Sequence, residues 1–204
     1  MTASLLAAAG LARELAAAVD QLRRITVQVR AHGAATGAGI LWTGGESEGR
    51  GLVITNAHVV RGDRATIELS DGAVARARVV ARDRKRDLAA LEFEPGRAMA
   101  ATVVRDSPPL RVGELVIAIG HPGGFVGAAT LGIVQATESA REGRAPRWIR
   151  ADVRLAPGFS GGPLADATGR LVGVNTMMQG NLALAVPAAA VEAWVRHSHQ
   201  PVAP

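Results

Sequence analysis

From residue 25 onward the apolar positions come in short bursts rich in β-branched residues, each closed by Gly, Asp, Asn or Pro. The bursts fall at 25–29, 37–42, 51–55, 65–69, 73–81, 88–93, 101–104, 114–119, 128–135, 148–153, 171–176 and 182–186. Runs of this length between turn residues predict strands, and about a dozen of them with no long helix between predict an all-β sandwich or barrel. A parallel α/β sheet, which needs helical crossovers, is not expected on the same pattern. The two ends differ. Ser4 is placed to cap a helix, and Leu11, Leu15, Val19 and Leu22 fall on one helical stripe, predicting a helix over 4–22. That stripe needs a partner, either the body of the domain or another subunit. After Pro187, a good first residue for a helix, 188–195 predicts a closing helix and 197–204 a loose tail.

Composition narrows this picture. A chain of 204 residues, 48% hydrophobic, suits one domain with a full core. Aromatics are only 3% and Tyr is absent, so Val, Leu, Ala and Ile must fill that core. Cys is absent, which excludes disulfides and thiolate metal sites. The carboxylates show no clustered ligand spacing, so neither a metal nor any other cofactor is expected. The net charge of +5 comes almost wholly from Arg, but the arginines are scattered near acids and there are few aromatics to stack on bases. They read as a solvated surface, and no nucleic-acid partner is expected. No run reaches the ~18–20 apolar residues of a membrane span. Residues 5–12 are apolar, but no basic stretch precedes them and Arg13-Glu14 follows, a poor match to a signal peptide. The compartment stays open.

Three local contexts carry candidate chemistry. In Gly158-Phe159-Ser160-Gly161-Gly162-Pro163 a Ser sits on a turn whose glycines let the backbone bend sharply and let a substrate approach. That is what hydroxyl attack requires, together with backbone amides, here those of Gly158 and Ser160, aimed at the oxygen that becomes negative. By itself the segment also reads as a Gly-rich turn in which Ser160 caps a neighbour. His58 ends the strand-like run Ile54-Thr55-Asn56-Ala57-His58 and is the candidate base, although a lone His there also suits a structural role. Asp87 enters the apolar run Leu88-Ala89-Ala90-Leu91, where a charge needs a partner; it would orient the imidazole or cap a turn. The order His, Asp, Ser differs from that of α/β-hydrolases and of subtilisins.

Together these contexts resemble the HtrA/Deg branch of trypsin-like serine proteases, over roughly 25–187. Thr36-Gly37-Ala38-Gly39-Ile40 resembles that family's Gly-rich strand, and Thr55-Asn56-Ala57-His58-Val59-Val60 its His motif. Asp83 with Asp87-Leu88-Ala89 resembles its Asp motif, Gly120-His121-Pro122-Gly123-Gly124 its Gly-Asn-Pro loop, and 152–164 its Ser motif. Gly132-Ile133-Val134 and Leu182-Ala183-Leu184-Ala185-Val186-Pro187 are similar to its later strands. The resemblance implies an all-β fold of two perpendicular six-stranded antiparallel barrels, roughly 25–97 and 98–187, behind an N-terminal helical segment (1–22) and before a C-terminal helix. It implies a triad of His58, Asp87 and Ser160, an oxyanion hole at Gly158 and Ser160, and ATP-independent endoproteolysis of unfolded or misfolded chains, often by homotrimers.

The sequence departs from the family at several places. Phe159 stands where Asn or Asp is usual, so the turn is either stiffened by packing or misformed; the second case leaves a protease fold that binds chains without cutting them. The loop over 43–50 is short. The seventeen residues after Pro187 hold no PDZ domain, so regulation through one is not carried over. In trypsin-like folds the segments before the nucleophile and on the strand after it line the substrate pocket, here Arg154, Leu155, Ala156, Thr176, Met177 and Met178. Arg154, not Asp, stands six residues before Ser160, which disfavours cleavage after Lys or Arg. Strand alternation turns only one of Arg154 and Leu155 inward; Leu155 is expected there, giving an apolar pocket, because an unpaired buried guanidinium is costly.

Overall fold

The structure, a computed structural model, describes residues 2–31, 36–42, 50–96, 100, 102–106, 109–137 and 148–198. The chain begins with helix α1 (Thr2–Ile25), rich in Ala and ending in Arg23 and Arg24, which suit the negative end of the helix dipole. Its expected stripe is buried progressively. Leu11 is 48% exposed, Leu15 and Val19 are half-buried against the core, and Ala18, Leu22 and Ile25 are buried. The body of the domain is therefore the partner for the second half of the stripe. Burying Leu22 and Ile25 contributes about 1.5–3 kcal/mol each.

Six strands follow: β1 (Thr26–Arg30), β2 (Gly37–Trp42), β3 (Gly51–Thr55), β4 (Arg64–Glu68), β5 (Val74–Asp83) and β6 (Leu88–Phe93). They close into an antiparallel barrel in the order β1-β2-β3-β6-β5-β4. A second set comprises β7 (Leu115–Gly120), β8 (Ala128–Thr137), β9 (Ile149–Asp152), β10 (Pro163–Asp166), β11 (Leu171–Gln179) and β12 (Leu182–Pro187). It closes in the order β10-β11-β12-β9-β8-β7. Helix α2 (Ala188–Ser198) then packs on β11 and β12 through Ala188, Val191 and Val195, a spacing that keeps them on one face. No helix among the described residues is long and apolar enough to cross a membrane.

Two expectations need correction. No strand forms at 101–104 among the described residues; Val104 makes only an isolated parallel bridge to Leu171, fixed by Leu171 N–H to the Val103 carbonyl and Arg105 N–H to the Leu171 carbonyl. Residue 101 lies outside the described residues. Conversely β10 was not expected, because it is short, starts with Pro and follows a Gly-rich turn. Pro is tolerated there as the first residue of a strand. Of the tail expected over 197–204, His197 and Ser198 instead complete α2; 199–204 lie outside the described residues, as does most of the loop over 43–50.

All of β2 and β3 is buried, not every second residue. One apolar cluster runs through the first barrel and continues across to α1, α2, Ile117, Ile119 and Val174. A second fills the other barrel around Val116, Val134, Ala151 and Leu164. The continuous cluster ties the two barrels together and so sets the position of side chains presented where they meet.

Candidate active site

β3 ends at Thr55, and the chain turns through Asn56 and Ala57 to expose His58. Its Nδ1 lies 2.6 Å from Asp87 Oδ2, while its main-chain N–H donates to Asp87 Oδ1 at 3.0 Å. Both carboxylate oxygens thus grip one residue, which places a proton on Nδ1 and leaves Nε2 free to act as a base. Asp87 has φ +56°, the one positive φ outside glycine among the described residues. That turn also directs the Asp87 carbonyl at the Ala57 N–H (3.2 Å) and at Asn56 Nδ2 (2.8 Å).

Two residues that the sequence reading did not single out hold this corner. Asn56 is fully buried and bridges the barrels, its Nδ2 donating also to Thr176 Oγ1 at 3.2 Å. Arg82, from β5, caps the turn after His58: its guanidinium donates to the carbonyls of Val60 and of Gly62, the latter at 2.8 Å. Asn56 lies inside the His motif, so its context hinted at a role; Arg82 looks like any other arginine of this Arg-rich chain. Asp83 shapes the approach to Asp87 by accepting from the Lys85 and Arg86 N–H groups and from the Arg86 guanidinium. Burial works against the charge of Asp83, but those bonds hold its pKa below the ordinary carboxylate value. A cavity of about 270 Å³ beside the pair is lined by Ala57, His58, Arg61, Arg82, Arg84 and Asp87.

Ser160 comes from the turn before β10. Its carbonyl accepts from the Ala38 N–H of β2 at 2.8 Å, and the Gly161 N–H donates to the Asn175 carbonyl of β11 at 2.8 Å. Gly161, at φ +84°, leaves no room for a side chain, because a Cβ would lie 2.2 Å from the Ala38 carbonyl oxygen and 2.4 Å from Thr55 Oγ1. The Ser160 hydroxyl donates to the Thr176 carbonyl at 3.1 Å. Among the described residues, neither the Gly158 nor the Ser160 N–H has an intramolecular acceptor, whereas Phe159 N–H between them donates to Ala156 at 3.1 Å and the Gly158 carbonyl accepts from His121 N–H at 3.0 Å. Phe159 is 4% exposed and sits in the core of the second barrel; Gly120, where a Cβ would be 2.6 Å from Phe159 Cα, makes space for it. The bulky residue therefore anchors the turn by packing. Of the expected pocket residues, Leu155 is half-buried and packed on the second barrel's core, while Arg154, Ala156, Met177 and Met178 are exposed and Thr176 is buried.

Residues 37–174 match the family described as trypsin-like peptidase domain. The chain belongs to that family. Among trypsin-like relatives it is 36% identical over 131 residues to the probable periplasmic serine protease do/HhoA-like of Haemophilus influenzae, covering 62% of this chain and 28% of the relative. It is 34% identical over 147 residues to the serine protease Do-like HtrA of Lactobacillus helveticus, 69% of this chain and 35% of that one. With the serine protease HTRA1 of Xenopus laevis the identity is 32% over 156 residues, 73% and 34% of the two chains. The matched segment thus spans roughly a third of these trypsin-like relatives.

Proposed function

We propose that this domain is a serine endopeptidase working through His58, Asp87 and Ser160. The observation that carries the reading is the grip of the Asp87 carboxylate on both the ring and the main chain of His58, in a trypsin-like chain whose Ser turn leaves two amides unpaired. Ser160 Oγ exchanges the Thr176 carbonyl for His58 Nε2 and attacks the scissile carbonyl. His58 takes the proton and returns it to the leaving amine, while Asp87 stabilises the imidazolium. The N–H groups of Gly158 and Ser160 hold the oxyanion, a term worth about 2.7–4 kcal/mol per donor in such sites. The burial of Phe159 favours this over a non-cutting, chain-binding module. A phosphonofluoridate should label Ser160 stoichiometrically; failure to label the folded protein would leave the chain-binding reading in its place.

The substrates proposed are unfolded polypeptides, cleaved without ATP. Leu155, turned toward the core side while Arg154 faces solvent, favours apolar side chains such as Val, Ala, Leu or Ile before the cut bond, with Met177 and Met178 as an adaptable opposite wall. A peptide library in which cuts after Asp, Glu, Lys or Arg dominate would overturn that preference. Exposed Leu11 on α1 belongs to the same proposal as part of a homo-oligomer contact, which light scattering that finds only monomer would contradict.

A further inference from the structure

His121 takes no part in the reaction above, yet it is a buried titratable group directly beneath the oxyanion turn. It follows the last residue of β7 and is 4% exposed. Its N–H donates to the Gly158 carbonyl at 3.0 Å. Gly158, at φ +111°, rests so closely on this backbone that a Cβ would lie 2.6 Å from the His121 carbonyl oxygen and 2.8 Å from Pro122 Cα. The ring closes the neck of the loop that follows: Nδ1 accepts from Gly127 N–H at 3.2 Å, and the Gly127 carbonyl in turn accepts from Arg23 Nε of α1 at 2.7 Å. Inside the loop, Phe125 N–H donates to the Pro122 carbonyl at 2.9 Å.

We propose that His121 is a positioning residue for the oxyanion turn: by holding Gly158 through its main chain and Gly127 through a neutral ring, it fixes the peptide plane that leaves the Gly158 and Ser160 amides facing the cleft. The inference rests on the serine-protease reading. An Nδ1 that accepts puts the ring proton on Nε2, which is buried with no hydrogen-bond partner among the described residues. The surrounding charges are Glu68 of β4 and, through Gly127, Arg23 of α1. Burial lowers the ring's pKa and outweighs the Val27 carbonyl of β1, which falls short of a formed hydrogen bond, and the Glu68 carboxylate, both of which favour the charged form. Protonation would set an Nδ1–H against the Gly127 N–H, two donors face to face, and open the neck. The turn then loses its support in acid through a group distinct from Ser160 and His58.

The test compares His121→Leu, which keeps the main chain and removes the acceptor, with His121→Asn, which restores an acceptor that does not titrate. On a chromogenic peptide at pH 7.5, His121→Leu should lower kcat about 10–100-fold, less than the ~10²–10³ for outright loss of an oxyanion donor, with KM changed less than about two-fold. His121→Asn should recover most of that loss. As pH falls below the ordinary imidazole value of 6.5, the wild type should lose kcat more steeply than His121→Asn, the difference being the ionisation of residue 121. Superimposable pH profiles for wild type and His121→Asn would overturn the proposal, as would a His121→Leu variant with wild-type kcat or one no better rescued by Asn. Should His121→Leu fail to fold, the two pH profiles decide alone. Phosphonofluoridate labelling of the wild type separates the two readings: no labelling removes the protease, whereas labelling with any of the overturning results removes only the role of His121.

Discussion

Asp87 holds a left-handed backbone conformation that an L side chain adopts at a cost of about 1–2 kcal/mol, Asp and Asn bearing it best. That cost sustains a specific arrangement: both carboxylate oxygens on His58 and the carbonyl on Asn56 and Ala57. Asp87→Asn keeps the backbone and the shape but puts an amide NH₂ where one of the two oxygens now accepts, from His58 Nδ1–H or from the His58 main-chain N–H. It should leave thermal stability within about 1 kcal/mol while lowering kcat on the order of 10²–10⁴, and retained turnover would remove Asp87 from the site. Gly161 is the opposite case, a residue whose value is the absence of atoms. Gly161→Ala places a Cβ against the Ala38 carbonyl and Thr55 at positive φ, so calorimetry should register a loss of about 2–4 kcal/mol. An unchanged Tm would mean that the turn is looser than drawn.

At the scale of elements, the described residues of the segment joining the barrels are held by charge and by the Val104–Leu171 bridge more than by strand pairing. Arg105 Nη1 donates to Glu114 Oε2 at 2.5 Å and lies 3.6 Å from Asp166, while Arg111 Nε donates to Glu114 Oε1 at 3.0 Å. The bond from Arg105 is the main reason that Glu114 has its pKa lowered to about 2; burial opposes it, and the bonds from Arg111 add to it. A carboxylate with a lowered folded pKa stabilises the fold above its unfolded value, near 4.5, and loses that contribution as pH falls toward 2. Glu114→Gln should therefore cost about 1–2 kcal/mol at neutral pH and make stability less steep between pH 4.5 and 2 than in the wild type; parallel curves would show that the network carries no linkage. This segment also marks where sequence reading stopped. Apolar β-branched residues at 101–104 look like a strand, but a strand needs a partner with a free edge, and the second barrel closes without it. β10 was hidden because it follows directly on the Gly-rich turn that carries Ser160, and four residues starting at Pro give little pattern. The proposed residues His58, Asp87 and Ser160 stood out in the sequence because backbone and chemistry both restrict them, whereas Arg82 and His121 bond to main-chain partners that only the folded chain brings near.

For the whole molecule, closure of each barrel removes open sheet edges, and the proposed site lies where the two meet. Asp87 and His58 come from the first barrel and Ser160 from the second, and three contacts fix their separation: Ala38 N–H to the Ser160 carbonyl, Asn56 to Thr176, and the apolar cluster that crosses between them. The central claim is that Ser160 is the nucleophile of a peptidase, and digestion of β-casein followed by mass spectrometry tests it most directly. Wild type should release peptides cut mainly after apolar residues, and folded Ser160→Ala should lose activity by a factor of about 10⁴–10⁶. Casein cleaved by Ser160→Ala at close to the wild-type rate would contradict the account.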